Sequence, residues 1–316
     1  MPTGWRMTEA ITVARMDGMD PELEPFIPLI PRADLADPVA ERERLAQVVA
    51  SLPGADTKEM EVEDRVVPAD PDVPVRIYRP HAAHGAIVWL HGGGFVTGDL
   101  DTEHAWASRL AGASGAVLIS VGYRLAPEHP FPAALDDAYA VLIWLAEHAE
   151  ELDVDPGRIA VGGTSAGGGI AAAVALRARD ERGPAIRFQL LNQPELDDRM
   201  ETVSARLFTD TPRMDRDNIA ASWRHYLGAG PASPYAAPAH AVDLSDLPPA
   251  YIATAEFDPL RDEGIGYAQR LLEAGVSVEL HQWPGTFHGS QAIISAEVSQ
   301  RQAAELAAAV RRALSA

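Results

Sequence analysis

The feature that most constrains the fold is a strand, a tight glycine-rich turn and a helix that follow one another. The stretch Arg158-Ile-Ala-Val-Gly-Gly-Thr-Ser165-Ala-Gly-Gly-Gly-Ile170 begins as a short apolar strand and runs on as a helix to about Arg177. In this context Gly163-x-Ser165-x-Gly167 is typical of a nucleophile elbow, where a strained turn exposes a serine hydroxyl. The flanking positions must be glycine because a Cβ there would collide with the neighbouring strand and helix. A chance match in a chain with 25 glycines is the alternative.

Strand and helix patterns alternate along most of the chain. Strands are predicted at 62–67, 75–78, 86–90, 116–121, 159–162, 187–192, 250–255 and 276–282, and helices at 40–50, 103–113, 133–148, 170–179, 263–274 and 290–314. The first two strands read as an antiparallel pair, whereas 86–90 and 116–121 are continuous apolar runs, as in strands covered on both faces. The alternation predicts a mostly parallel sheet with helices on both faces.

Composition excludes several classes of protein. A length of 316 residues fits one large α/β domain with elaborations, or two small domains. The chain has no cysteine, which excludes disulfides, thiolate metal sites and a cysteine nucleophile. A net charge of −20 argues against nucleic acid or an anionic membrane as a partner. No segment has the pattern of a signal peptide or a membrane span, so we expect a soluble, cytoplasmic protein.

Three loops besides the elbow follow predicted strands, where chemistry in an open parallel sheet belongs. His91-Gly-Gly-Gly-Phe leaves backbone N–H groups uncovered and able to approach a negatively charged oxygen. A phosphate loop would place Lys and Ser or Thr after the glycines, and this chain has Phe95-Val-Thr instead.

The other two loops offer an acid and a base. Asp258 ends a strand just before a proline, whereas Asp262 and Glu263 fall in the first turn of the next helix, where acids are favoured by the helix dipole alone. His288 lies between the last strand and the last helix, and His281 lies within that strand. These positions favour Asp258 and His288 as the partners of Ser165.

Taken together, these motifs resemble those of the bacterial hormone-sensitive-lipase-like esterases, a branch of the α/β-hydrolase superfamily. The motifs are His91-Gly-Gly-Gly-Phe, Gly122-Tyr-Arg-Leu-Ala-Pro-Glu-His-Pro-Phe-Pro-Ala-Ala, Gly163-Thr-Ser-Ala-Gly-Gly, Asp258-Pro-Leu-Arg-Asp-Glu-Gly and Phe287-His-Gly. They extend from about residue 85 to the end of the chain, and the order serine, acid, histidine is the order that this superfamily uses. One departure is Thr164, where many members carry Asp and a subset carries Thr.

The resemblance implies an α/β-hydrolase fold with a helical cap. It places the core at residues 56–197 and 241–316, and the two parts of the cap at 1–55 and 198–240. Apolar residues of the first part, among them Trp5, Met7, Phe26, Ile27, Leu29 and Ile30, are expected to cover the mouth of the site.

The resemblance also implies a mechanism. Ser165 attacks an ester carbonyl, His288 acts as base and then acid, and Asp258 holds the imidazole tautomer. The backbone N–H groups of Gly93, Gly94 and Ala166 form the oxyanion hole, and His91 shapes its loop. No cofactor and no metal are expected. The expected partners are a small-molecule ester and water, with a homodimer as an allowed assembly and with neither nucleic acid nor a membrane.

Three functions are compatible with the predicted fold and site. A serine carboxylesterase for short-chain, uncharged acyl esters is favoured. An amidase or a lipase on the same scaffold is the second, and the sequence separates these poorly from an esterase. The third is a non-hydrolytic ligand receptor, since plant hormone receptors that resemble this family have lost the triad histidine, whereas His288 is present here.

Overall fold

The computed structural model describes residues 18–51, 54–81, 83 and 85–315. Trp5 and Met7 of the expected cap lie outside the described residues. None of the helices in these ranges combines the length and the apolar character that a membrane crossing needs.

A central sheet of eight strands has the order β1-β2-β4-β3-β5-β6-β7-β8. The strands are β1 (Met60–Val67), β2 (Val73–Pro80), β3 (Ala86–Leu90), β4 (Val117–Val121), β5 (Ile159–Thr164), β6 (Phe188–Asn192), β7 (Ala250–Phe257) and β8 (Val278–Phe287). β2 pairs antiparallel with both β1 and β4, and every pairing from β4 to β8 is parallel. The predicted antiparallel start and mostly parallel sheet are confirmed.

Helices follow the strands as the alternation predicts. They are α1 (Pro38–Ser51), α2 (Leu100–Ser114), α3 (Ala133–Glu147), α4 (Ala166–Glu181), α5 (Val203–Leu207), α6 (Arg216–Leu227), α7 (Arg261–Glu273) and α8 (Glu297–Ser315). α2 shows why its first turn forms: the Asp99 carboxylate accepts from the N–H groups of Asp101 and Thr102, and Thr102 completes a capping box. The prediction that the last helix begins at residue 290 is wrong. Ser290–Ala292 form a separate 3-10 turn after Gly289, whose φ is 79°.

Buried apolar residues lie on both faces of the sheet. All residues of β3, β4 and β6 are buried, which agrees with strands covered on both sides. One cluster joins the sheet to α3, α4 and α7, and a second joins it to α2 and α8. The two layers of helices therefore fix the sheet, and the loops at its edge inherit that rigidity.

Two segments outside the sheet pack over its carboxyl edge. Arg42 of α1 donates from Nε to the carbonyl oxygen of Val96 at 2.6 Å and from a terminal nitrogen to that of Ala126 at 2.7 Å, and it also pairs with Glu128. From α6, the ring of Tyr226 stacks on that of Phe95 with centroids 3.8 Å apart. These segments fall in the ranges expected to form the cap, and the division into cap and core stays a prediction.

Candidate active site

Ser165 stands between β5 and α4 in a strained conformation. Its φ of 58° and ψ of −124° lie in a region that residues other than glycine rarely adopt. The backbone is fixed on both sides, because Ser165 N–H donates to Asn192 O at 2.9 Å and Ser165 O accepts from Glu195 N–H at 3.0 Å. The Ser165 hydroxyl lies within hydrogen-bonding distance of one histidine, His288.

The elbow depends on a close backbone approach at Gly167. A Cβ added there would lie 2.1 Å from the carbonyl oxygen of Leu90 and 2.4 Å from that of His91. α4 can therefore begin directly against β3 only because this residue has no side chain. That contact holds the first turn of α4 beside the glycine-rich loop after β3.

His288 connects the serine to an acid. Its Nε2 lies 2.9 Å from Ser165 Oγ, and its Nδ1 lies 2.8 Å from Asp258 Oδ2. The three residues are almost inaccessible to solvent, with exposed fractions of 3% for Ser165, 0% for Asp258 and 4% for His288. The ends of three parallel strands thus bring together the three residues that the sequence singled out.

The competing carboxylates face elsewhere. Asp258 Oδ1 accepts from Leu260 N–H at 2.9 Å, which orients its other oxygen toward the histidine. Asp262 instead accepts from Ser204 N–H at 2.7 Å, at the start of α5. Glu263 accepts from Leu196 N–H at 2.6 Å. The geometry favours Asp258 as the acid that contacts His288.

A side-chain amide fastens the histidine loop to the neighbouring strand end. Gln193, just after β6, accepts from Gly289 N–H at 2.9 Å. His281 lies away from this loop and bonds Glu279 at 2.9 Å. His288 therefore has a fixed backbone as well as two side-chain partners.

The glycine-rich loop after β3 has the backbone conformation that glycine permits. Gly93 and Gly94 have φ values of 129° and 58°, and no hydrogen bond from either N–H is found within the described part of the chain. His91 stacks on Tyr123 with ring centroids 4.1 Å apart, and Tyr123 donates to the His91 carbonyl at 2.8 Å. Burial lowers the pKa of His91 to about 4, so this ring is neutral and packs within the loop.

A cavity of about 320 Å³ opens over Ser165 and His288. Residues on several elements line it, including Ile30, Leu35, Leu45 and Val49 from the N-terminal segment, Thr164 beside the serine, and Arg213 and Met214 before α6. The prediction that Leu29 covers the site is wrong, because 75% of its surface is exposed. The N-terminal segment therefore reaches the cavity through α1 and the residues just before it.

Two acids near the site, one buried and one half-buried, carry no signal that the sequence analysis used. Glu195 is fully buried, accepts a hydrogen bond from the Ser222 hydroxyl, and has a pKa raised to about 8 by burial. Glu103 lines the cavity, accepts from Trp89 Nε1 at 2.7 Å, and has a pKa raised to about 7 by burial. Glu195 follows β6 by three residues, so the rule of strand-end loops could have indicated it. Glu103 lies inside a helix and gave no signal.

Two side-chain groups in the described ranges could hold a metal ion by distance alone: Asp197, Asp198 and His240, and Glu279, His281 and Glu305. Both already have partners within the chain. Asp197 pairs with Arg199 and His240 with Asp198, while Glu279 pairs with Arg312 and His281. Neither group lines the cavity over Ser165.

Comparison with known proteins places the chain among ester hydrolases. A family model described as alpha/beta hydrolase fold matches residues 87–292. Carboxylesterase NlhH of Mycobacterium tuberculosis is 44% identical over 299 residues, covering 90% of this chain and 91% of that protein. Esterase LipI of the same organism is 43% identical, covering 88% and 89%. A solved structure titled bacterial heroin esterase is 46% identical with a TM-score of 0.90, covering 95% of this chain and 99% of that one.

The close approach at Gly167 can be tested by substitution. Gly167→Ala is expected to lower the free energy of unfolding by about 3 kcal/mol and to reduce kcat, because a Cβ against a backbone carbonyl cannot be relieved by side-chain rotation. Gly266→Ala on α7 is the control, since a Cβ there meets nothing within 4 Å; it should gain up to about 1 kcal/mol. Urea unfolding and ester turnover measure both effects. Equal stability of the two variants would show that Gly167 is not required for the close approach of α4 to β3.

The raised pKa of Glu195 predicts a change of stability with pH. In the folded protein this carboxyl binds a proton up to about pH 8, whereas the unfolded chain releases it near about pH 4.3. The stabilising contribution is therefore lost as pH rises through that window. Glu195→Gln cannot ionise, so its free energy of unfolding should gain on that of the wild type by at most about 1.4 kcal/mol per pH unit. Urea unfolding at about pH 5 and about pH 8 compares the two, and parallel curves would show that Glu195 ionises as an exposed acid does.

Proposed function

Because the chain belongs to the hormone-sensitive-lipase-like carboxylesterases of the α/β-hydrolase superfamily, and is a carboxylic ester hydrolase, we propose that Ser165, His288 and Asp258 are its catalytic triad. One observation carries the proposal: the His288 ring lies within 2.9 Å of Ser165 Oγ on one side and within 2.8 Å of Asp258 Oδ2 on the other. The receptor alternative needs a site without this histidine and is not favoured.

The geometry suits acyl transfer through serine. His288 Nε2 removes the proton as Ser165 Oγ attacks the ester carbonyl, and Asp258 accepts from Nδ1–H and stabilises the imidazolium. The imidazolium then gives its proton to the leaving alcohol, which leaves an acyl group on Ser165. Water attacks that acyl group with the same histidine as base, and the acid and free serine are released.

The negative oxygen of each tetrahedral intermediate needs donors that are already in place. We assign this role to the N–H groups of Gly93, Gly94 and Ala166. Ala166 is the first residue of α4, whose N-terminal N–H groups have no carbonyl partner within the helix. The elbow and the glycine-rich loop meet at Gly167, so these donors lie on two rigidly joined elements.

The cavity supports a preference for short acyl chains. Its volume of about 320 Å³ lies at the low end for small-molecule sites. α1 and the residues before it, together with Arg213 and Met214, bound it on the side away from the sheet. In this proposal the described parts of 1–55 and 198–240 act as a cap that limits chain length and excludes water.

Substitution of the triad tests the mechanism. Ser165→Ala and His288→Ala are each expected to lower kcat on the order of 10⁴ or more, because the three residues act as one unit. Asp258→Asn should lower kcat by several orders of magnitude, since the histidine tautomer is no longer fixed. Hydrolysis of 4-nitrophenyl butyrate measures the loss, and circular dichroism checks the fold.

Asp262→Asn is the matched control for the acid. Its carboxylate bonds Ser204 N–H, and an asparagine oxygen can accept the same bond. We expect a change of kcat of only a few-fold at most, within the range of a substitution away from the reacting atoms. A larger loss for Asp262→Asn than for Asp258→Asn would show that the wrong carboxylate is assigned.

The size of the cavity predicts an acyl preference. kcat/KM should be highest for acetyl to hexanoyl esters of 4-nitrophenol and should fall for decanoyl and palmitoyl esters, which exceed the enclosed volume. Leu45→Ala and Val49→Ala remove cap side chains that line the cavity and should shift the optimum toward longer chains. An unchanged optimum in both variants would show that α1 does not limit the acyl group.

A further inference from the structure

We propose that Arg213 forms a subsite for a carboxylate on the ester substrate, so that the enzyme prefers short esters that carry a second, free carboxylate. This inference rests on the proposed function and names its substrate class. It departs from the expectation of an uncharged acyl group. The preferred substrate class is the monoesters of short dicarboxylic acids.

The backbone of Arg213 is held in a rare conformation. Its φ is 65°, in the left-handed region that residues other than glycine seldom adopt. Its carbonyl accepts from Ala33 N–H at 3.1 Å, and the Thr211 hydroxyl closes a turn on the carbonyl of Met214. The residue is thus fixed between the N-terminal segment and α6, and backbone strain of this kind is often found at ligand sites.

The side chain extends to the loop that carries His288, the proposed general base. A Cβ built on Gly289 would lie 3.1 Å from Arg213 Cδ, 3.3 Å from Nε and 3.6 Å from Cζ, so the guanidinium rests against this glycine. Gly289 directly follows His288, and both residues line the cavity together with Arg213. A group bound to this guanidinium would therefore lie a short distance from the scissile bond.

Arg213 has no counter-ion of its own. Among the described residues, no side chain forms an ion pair or hydrogen bond with its guanidinium, whereas Arg32 in the neighbouring segment pairs with both Asp210 and Asp215. The Arg213 side chain is exposed where it lines the cavity, so its guanidinium is accessible to a ligand that enters. An accessible guanidinium without a counter-ion can pair with a carboxylate that arrives on the ligand.

The carboxylates near Arg213 have other partners and do not act as its counter-ion. Glu41 is engaged by Arg44 through two of its nitrogens. Glu103 is held by Trp89 N–H, and its pKa of about 7 leaves it only partly ionised at neutral pH. Arg44 itself adds a second positive charge to the same wall.

The chemistry of the guanidinium selects the ligand. Its planar fork donates two parallel hydrogen bonds to a carboxylate, a match that an alkyl chain cannot make. The cavity of about 320 Å³ restricts that carboxylate to a short acid. The net charge of −20 repels anions at long range, so retention must come from this local contact.

The test compares two esters of equal carbon number, monoethyl glutarate and ethyl pentanoate, by ethanol release at an ionic strength of about 0.15 M. Arg213→Gln is expected to lower kcat/KM for monoethyl glutarate by roughly 10- to 100-fold, the loss of a charge-assisted hydrogen bond. For ethyl pentanoate the change should stay below about threefold. Arg213→Lys keeps the charge and should recover part of the loss.

Arg109→Gln on the outer face of α2 is the control for net charge and should leave the ratio of the two rates unchanged. If Arg213→Gln lowers kcat/KM equally for both esters, so that the ratio of the two kcat/KM values is unchanged, the proposed subsite is wrong. A second measurement does not need turnover: glutarate binding to Ser165→Ala by calorimetry should weaken roughly 10- to 100-fold when Arg213→Gln is added. If the proposed triad is wrong, Ser165→Ala will still hydrolyse esters. The comparison of glutarate binding would remain valid in that case.

Discussion

The strained backbone of Ser165, with its positive φ, is the constraint on which the rest of the site depends. It exists because α4 begins in contact with the end of β3, at a distance that only Gly167 allows. The same contact carries the glycine-rich loop to the first turn of α4. The proposed nucleophile and the proposed anion donors are therefore parts of one packed junction, and their spacing is set by backbone contacts rather than by mobile side chains.

Parallel pairing supplies the second requirement, because it directs the ends of β5, β7 and β8 to one edge of the sheet. Residues separated by 123 and 30 positions in the sequence meet there. Loops after such strands are anchored at both ends by buried elements. A serine, an acid and a histidine are then held within hydrogen-bonding distance, and little conformational freedom is left to lose when substrate binds.

Much of this arrangement could be predicted from the sequence, for a physical reason. Apolar runs such as 86–90 mark buried strands, and Ser165, Asp258 and His288 stand where strands end, so local patterns were sufficient. Arg213 and Glu103 could not be found in this way, because their significance comes from what packs around them in the folded chain. The start of the last helix was misplaced since Gly289 turns the chain before α8 begins.

Phe95 immediately follows the glycines of the loop after β3, and its ring is stacked on Tyr226 of α6. The ring of Phe95 also lies 5.3 Å from that of Trp223, so two aromatic contacts join α6 to the loop that is proposed to bind the oxyanion. Arg213 and Met214, which line the cavity, directly precede α6. A shift of α6 would therefore move these cavity residues and displace the Phe95 ring together with the proposed donors. A substitution in this region that broadens the substrate range is therefore expected to change the catalytic rate as well. During evolution the two properties would change together.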